Sequence, residues 1–392
     1  MRAVTWHGVD DVRVEEVSDP TIREATDAII RVTSTAICGS DLHLLGPMAM
    51  YMEPGDILGH EAMGVVEEVG ADATRLTVGD RVVVPFTISC GTCWFCRAGL
   101  MSQCLTTCDT EHGTGAALLG YSKLYGHVPG AQAEYLRVPQ AQFGPVVVPD
   151  DAPDIRYLFL SDILPTAWQA VEYADIPPGG SVLVWGLGPV GQLAARIATY
   201  RGATEVFGVD PVPERRALAS QHGVQTIDSA LDVASAVRDV TEGLGPDAVI
   251  DAVGMEASGN PVTSMMQRLA PKLPGKMAEF VADRAAVDRL SALHSCIEAA
   301  RRGATVSVVG VYGGAIDPMP LITIFDKQLT LRFGQANVRR WTDDILPLLV
   351  DGADPLHVDD LVTDRVPLSE APEAYQKFKS KADGCIKVVM TP

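Results

Sequence analysis

Residues 181–191, Ser181-Val182-Leu183-Val184-Trp185-Gly186-Leu187-Gly188-Pro189-Val190-Gly191, constrain this chain more than any other stretch. Residues 182–185 form a short apolar run of strand formers, and 192–200 read as a helix. Strand, G-x-G-x-x-G and helix in direct succession is the context in which such glycines bind a dinucleotide. Gly186 allows the tight turn, Gly188 lets backbone approach a pyrophosphate, and Gly191 lets helix and strand pack closely. Pro189 and Val190 complete the turn, and proline suits the first helical position, where its missing N–H is not needed. The helix start then offers free N–H groups and a positive dipole end to phosphates. A second strand, 205–209, ends in Asp210. That carboxylate stands about 20 residues beyond the glycines, where it would accept from a ribose 2′-OH. Asp210 favours NAD over NADP, because it would repel a 2′-phosphate. Arg215 and Arg216 lie close by and keep NADP open. The bland alternative is a glycine-rich βα turn with no ligand.

The length of 392 residues predicts two or three domains, each able to bury a core. The formal net charge of −19 argues against nucleic acid or an anionic membrane as partner. The first eight residues, Met1 to Gly8, hold no apolar core of a secretory signal, and no run is long and apolar enough to span a membrane. A cytoplasmic chain is expected. Eight cysteines in such a chain point to metal ligands rather than disulfides.

Residues 1 to about 35 alternate as β-strands do, and frequent glycine and proline mark the next hundred as an irregular β-rich domain. Cys38 and, further on, His60 are residue types that zinc prefers, and catalytic zinc takes three protein ligands and an open position. Their spacing proves nothing alone. Cys90, Cys93, Cys96 and Cys104 are more specific: C-x-x-C-x-x-C with a fourth cysteine eight positions on. Four thiolates this close make a closed tetrahedral zinc site, with an iron–sulfur cluster as the alternative. Residues 108–142, rich in glycine, read as a long loop. Asp162, taken by itself, is a helix cap or anything else. After Asp210 the βα alternation continues to a strand at 304–309, the last parallel one expected, broken by a proline- and glycine-rich excursion at 255–288.

At this point the chain resembles the zinc-dependent, medium-chain alcohol dehydrogenase family, over nearly its whole length. The motifs are Cys38-Gly39-Ser40-Asp41-Leu42-His43, Gly59-His60-Glu61, the four-cysteine lobe and the glycine turn, in the family's order. Leu160-Ser161-Asp162, Gly310-Val311-Tyr312-Gly313-Gly314 and Gly384-Cys385-Ile386-Lys387-Val388-Val389 are similar to the formaldehyde dehydrogenase-like branch. The resemblance implies an α/β architecture: a GroES-like irregular β-domain plus a doubly wound Rossmann domain. It divides the chain into 1–163, 164–326 and 327–392, the last returning to the first domain, with the active site in the cleft between.

The resemblance further implies that Cys38, His60 and Asp162 hold a catalytic zinc. The wider family has cysteine where Asp162 stands; a carboxylate oxygen is an acceptable and harder donor. Glu61 matches a glutamate behind the metal that can swing in as a transient ligand. Asp41 matches the carboxylate that orients His60 through its other ring nitrogen. Ser40 and His43 match a proton relay that runs through the cofactor ribose to solvent; the bland alternative for His43 is a surface histidine on a loop. Thr166 matches a residue beside the nicotinamide, Val309 and Val311 a segment that receives the carboxamide, Lys387 a basic residue near the pyrophosphate, and Phe86 a wall of the substrate pocket. Met48, Met50, Tyr51 and Met52 are expected to border that pocket. Two zinc ions per chain, NAD, a small alcohol or aldehyde and a homodimer or homotetramer are the implied partners. Rival functions are an aldehyde dismutase that keeps its NAD bound, and a non-catalytic binding or structural protein on the same fold.

Overall fold

The computed structural model describes residues 1–254, 290–312 and 319–392. The expected excursion at 255–288, with Gly313 and Gly314, lies outside the described residues. Contacts divide the chain into two units, Met1–Pro165 with Ala336–Pro392, and Thr166–Gln335.

The first unit is built on two antiparallel-rich sheets. The strand Ala28–Ile37 is central to the larger one, pairing with Glu61–Val69, Tyr135–Val138 and Lys387–Thr391. It is buried at nearly every position, as a strand covered on both faces must be. Gly64 is needed where Glu61–Val69 crosses it, because a Cβ there would lie 2.2 Å from the Arg31 carbonyl oxygen. A three-stranded sheet made from Arg2–Gly8, Asp11–Glu16 and Asp56–Ile57 completes the β framework. One apolar cluster joins Val4, Trp6, Ile37 and Leu58 to Tyr375 and Phe378 of the C-terminal helix Ala371–Ser380.

The second unit is a six-stranded parallel sheet. From Ser181–Trp185 the chain steps outward through Glu205–Val209 to Gln225–Ile227; it then returns to the other side with Ala248–Asp251, Thr305–Val308 and Thr330–Phe333. The order therefore reverses beside Ser181–Trp185, and in open parallel sheets ligands bind at that reversal, outside the carboxyl ends of the strands. The strand expected at 304–309 is not the last: Thr330–Phe333 adds one more in parallel register, Thr305 opposite Thr330. For that reason the chain returns to the first unit at Ala336 rather than near Lys327. Among the described residues no helix is long and apolar enough to cross a membrane.

Candidate metal centre and dinucleotide turn

Three distant pieces of the first unit bring one donor each to a common point. Cys38 follows the end of Ala28–Ile37 and caps the short helix Gly39–Leu44. His60 precedes Glu61–Val69. Asp162 follows the tight turn Phe159–Ser161 and precedes the helix Ile163–Ala174. Cys38 Sγ lies 3.3 Å from Asp162 Oδ2, and His60 Nε2 lies 3.2 Å from the same oxygen. Ligand atoms of Cys38, His60, Glu61 and Asp162 all fall within 4.8 Å of one another. A thiol, an imidazole and two carboxylates this close, all but the half-buried thiol buried, form a donor set in which a bound cation would offset the desolvation of the charged forms. Burial, with Asp162 beside it, pushes the Cys38 thiol up to about 11, so without a cation it stays protonated. Burial also pulls His60 down, but Asp41 and Asp162 outweigh it and hold the ring well above the usual histidine range. The donor set is the N, O and S set that zinc takes, and the residues fit that ion.

Asp41 is fully buried beneath the trio. Its Oδ2 accepts from Cys38 N at 3.0 Å and its Oδ1 lies 3.1 Å from His60 Nδ1. Ser40 Oγ is 3.2 Å from His60 Nε2. His43 shares the helix Gly39–Leu44 and is buried, so the surface-loop alternative does not hold. Phe86 is buried and meets His60 edge-on at 5.8 Å between ring centroids. The methionine wall is only partly realised: Met48 takes a hydrogen bond from Tyr121 at 3.2 Å, Met52 sits in the apolar core, and Met50 is 61% exposed.

Lys387 is fully buried, and its ammonium meets Glu61 and, at 2.9 Å, the Ile37 carbonyl oxygen. Burial lowers such a group's pKa, but the Glu61 carboxylate more than offsets it and holds the lysine protonated. With both contacts inside the first unit, the Lys387 ammonium is a counter-charge to the Glu61 carboxylate of the cluster. The strand Lys387–Thr391 lies next to Ala28–Ile37, which carries it there. Nothing in the local sequence signals that pairing.

The second cluster is local. Sulfurs of Cys90, Cys93, Cys96 and Cys104 fall within 4.8 Å of one another. Backbone N–H groups of the same loop point at them: Thr92 N and Cys93 N at Cys90 Sγ, 3.4 and 3.3 Å, and Cys90 N at Cys104 Sγ, 3.4 Å. Burial raises Cys90, but the surrounding hydrogen bonds carry it down to about 5, thiolate at neutral pH. Burial and the neighbouring Cys93 and Cys104 sulfurs push Cys96 up instead. Four sulfurs this close form the donor set of a closed tetrahedral zinc site. Cys108 lies outside the cluster and Cys296 is core.

In the second unit, the helix Pro189–Tyr200 starts directly after the glycine turn, with Gly188 as its cap and Pro189 in its first turn. Gly186 has φ +91°, a conformation glycine alone adopts readily, and a Cβ on Gly191 would lie 1.8 Å from Gly186 O. Gly188 differs: a Cβ there would meet only the tip of Arg215, at 3.5 Å, so the backbone is open to an incoming group. Asp210 is buried; its Oδ2 accepts from Leu187 N at 2.8 Å and its Oδ1 from Val212 N at 2.8 Å. Arg215 Nη1 stands 3.8 Å from Asp210, while Arg216 turns to the Asp210 carbonyl and to Asp228. Val309 and Val311 flank Gly310 just beyond Thr305–Val308; the N–H groups of Val309 and Gly310 both donate to Asp251 O at 3.0 Å. Thr166 opens the unit and is half-buried.

Residues 24–150 match the alcohol dehydrogenase GroES-like domain and residues 189–280 the zinc-binding dehydrogenase domain. An uncharacterized zinc-type alcohol dehydrogenase-like protein of Bacillus subtilis is 39% identical, with 100% of each chain covered. Formaldehyde dismutase of Pseudomonas putida is 31% identical over 96% of this chain and 94% of that protein. The solved alcohol dehydrogenase of Thermus sp. ATN1 superposes with a TM-score of 0.82 at 35% identity, covering 100% of this chain and 99% of that one. The chain belongs to the zinc-dependent, medium-chain alcohol dehydrogenase family, and is an oxidoreductase with that family's GroES-like and Rossmann folds.

Proposed function

We propose that this oxidoreductase moves a hydride between a small alcohol, or a hydrated aldehyde, and NAD, with two zinc ions per chain. The observation that carries the proposal is the meeting of Cys38, His60, Asp162 and Glu61 donor atoms within 4.8 Å. When bound, zinc acidifies a substrate hydroxyl and NAD accepts the hydride. Cys38, His60 and Asp162 would hold the metal, and Asp41 would keep the His60 ring turned towards it. Glu61, paired with Lys387, is the reserve carboxylate. Ser40, beside His60, takes the substrate proton, and His43 on the same helix is its next carrier. Phe86 gives the site an apolar wall against water. Cys90, Cys93, Cys96 and Cys104 would hold the second, structural zinc.

The cofactor assignment rests on Gly188 and Asp210. The bare backbone at Gly188 leaves room for a pyrophosphate, and Pro189, Val190 and Gly191 present the helix start to it. Asp210 accepts two backbone N–H groups, and a carboxylate has lone pairs for a ribose hydroxyl besides. Arg215 stands ready on the same side. Val309 and Val311 would receive the carboxamide and Thr166 would back the nicotinamide. Assays of a panel of short, branched and aromatic alcohols with NAD and with NADP test the proposal; turnover only with NADP would overturn the cofactor assignment. Full-length similarity to formaldehyde dismutase favours one second reading, an aldehyde dismutase with NAD held between turnovers. Denaturing the purified protein and assaying the supernatant for NAD separates the two.

A homo-oligomer is also proposed. Among the described residues the sheet of the second unit ends at the strand Thr330–Phe333, where Phe333 is 51% exposed, and Phe325 of the preceding helix Leu321–Lys327 is 78% exposed. Unpaired edges with exposed aromatic side chains are covered in stable proteins. Light scattering that returned the mass of one chain would overturn this part.

A further inference from the structure

We propose that Gln132 and Tyr375 are positioning residues for the metal cluster, acting through Asp41 on Cys38 and His60. The inference rests on reading that cluster as a zinc site. Gln132 is fully buried. Its Nε2 lies 3.2 Å from the Ala36 carbonyl oxygen and 3.4 Å from Asp41 Oδ2. Both partners only accept, so the amide nitrogen must face them. The Gln132 Oε1 then faces the Tyr375 hydroxyl, which donates to it at 2.9 Å. A flipped amide would set its oxygen against two acceptors and its nitrogen against the phenol, so one orientation satisfies all three contacts.

This amide touches the supports of both ligands. Ala36 stands two residues before Cys38. Asp41 accepts from Cys38 N at 3.0 Å and lies 3.1 Å from His60 Nδ1. The carbon stem of Gln132 packs on Gly59, next to His60: a Cβ at Gly59 would fall 2.3 Å from Gln132 Cγ. Gly59, at φ +91°, has the conformation that leaves this space. Tyr375 reaches in from the helix Ala371–Ser380, 243 residues along the chain, and is itself buried. The carboxylate that orients a ligating imidazole is thus itself oriented by an amide, and the amide by a phenol. Partners outside the ligand shell tune metal affinity strongly when they fix the rotation of a ligand ring.

The test is zinc release from the full-length protein against EDTA, followed together with the melting temperature. Two release steps are expected, and Asp162→Ala identifies the step that belongs to the Cys38 cluster. Gln132→Met, close in volume but without a donor, should weaken that step roughly tenfold to a hundredfold and leave the four-cysteine step unchanged. Tyr375→Phe should weaken it roughly fivefold. Because Tyr375 acts through the amide, it should add nothing once Gln132 is methionine. The visible spectrum of cobalt(II) at the Cys38 cluster should shift in both single variants. Wild-type release and spectrum in both variants, or effects that add in the double variant, overturn the proposal. If Gln132→Met does not fold, Tyr375→Phe decides alone, by release and by the cobalt spectrum. Zinc held at the cluster without turnover on any alcohol would sink the dehydrogenase reading and leave this proposal standing. Wild-type protein that binds zinc only at the four cysteines sinks both.

Discussion

Two clusters of candidate metal ligands lie in the first unit among the described residues, and they are built in opposite ways. The four-cysteine lobe draws every donor from residues 90–104, and the N–H groups that face its sulfurs come from the same loop. The Cys38 cluster draws its donors from a strand end, a strand start and a turn 124 residues away. It is held by Asp41 below and by Lys387 behind, which arrives from the last strand. The first cluster is a property of a peptide segment. The second reads out the whole β framework, so its geometry is only as good as the packing that brings those elements together.

The largest effect follows from breaking the dispersed cluster. Asp162→Ala would remove one of the three proposed ligands and should cost several kcal/mol of metal-assisted stabilisation, roughly a thousandfold in turnover or more. Metal analysis should find the zinc content fall from two per chain to one, with the lobe still loaded. Full activity in that variant would show the third ligand to be another residue. The complementary change is Cys96→Ser. It should lose the other zinc and, because structural zinc binding is also folding free energy, lower the melting temperature by about 10 °C or more. Equal melting temperatures for Cys96→Ser and wild type would mean that the lobe is not stapled by metal.

What could be read in the sequence follows the same division. The lobe and the glycine turn were legible because spacing alone carries them. Expected strand 205–209 coincides with Glu205–Val209, and the expected helix at 192–200 lies inside Pro189–Tyr200. The meeting of Cys38, His60 and Asp162 was legible only through family resemblance, since no local periodicity joins positions so far apart. The contact of Lys387 with Glu61 was not legible. Its partner Glu61 is 326 residues away, and only the pairing of the last strand with Ala28–Ile37 brings them together. Gln132 passed as one polar residue in a glycine-rich loop, because its three partners are all set by tertiary packing. The domain return was placed too early because 330–333, Thr-Leu-Arg-Phe, alternates weakly and is mostly exposed as an edge strand.

The glycine turn sharpens the comparison with an intermediate case, local in motif but completed by one residue from the next strand. Asp210→Ser should remove the charge that disfavours a 2′-phosphate and one charged hydrogen bond to the cofactor. About 2 kcal/mol is at stake, roughly thirtyfold in the ratio of kcat/KM for NAD over NADP. Leu187 N loses its acceptor in the same change, so KM for both cofactors should rise. An unchanged ratio would mean that Arg215, not Asp210, sets the preference.

The smallest expected effect tests whether the scaffold behind the dispersed cluster can be loosened while the lobe is spared. Asp154 begins the helix Asp154–Leu158, which leads into the turn that delivers Asp162. Its carboxylate accepts from Thr33 Oγ1 at 2.5 Å and Ser34 Oγ at 3.0 Å, on the strand that leads to Cys38, and from Arg81 Nη2 at 2.7 Å. Burial works against the charged form, but the hydrogen bonds from Thr33, Arg81 and Ser34 outweigh it and hold this carboxyl below the ordinary aspartate value. A depressed folded-state pKa stabilises the fold above the unfolded value, and that contribution disappears as pH falls through the folded one. Asp154→Asn should therefore cost about 2 kcal/mol at pH 7, about 5 °C in melting temperature, and progressively less as the buffer is taken below pH 4. Zinc at the Cys38 cluster should be released somewhat faster at pH 7, and zinc in the lobe at the wild-type rate. A destabilisation that stayed constant down to pH 3, or one that loosened both metals alike, would mean that the two clusters do not differ in how they depend on the framework around them.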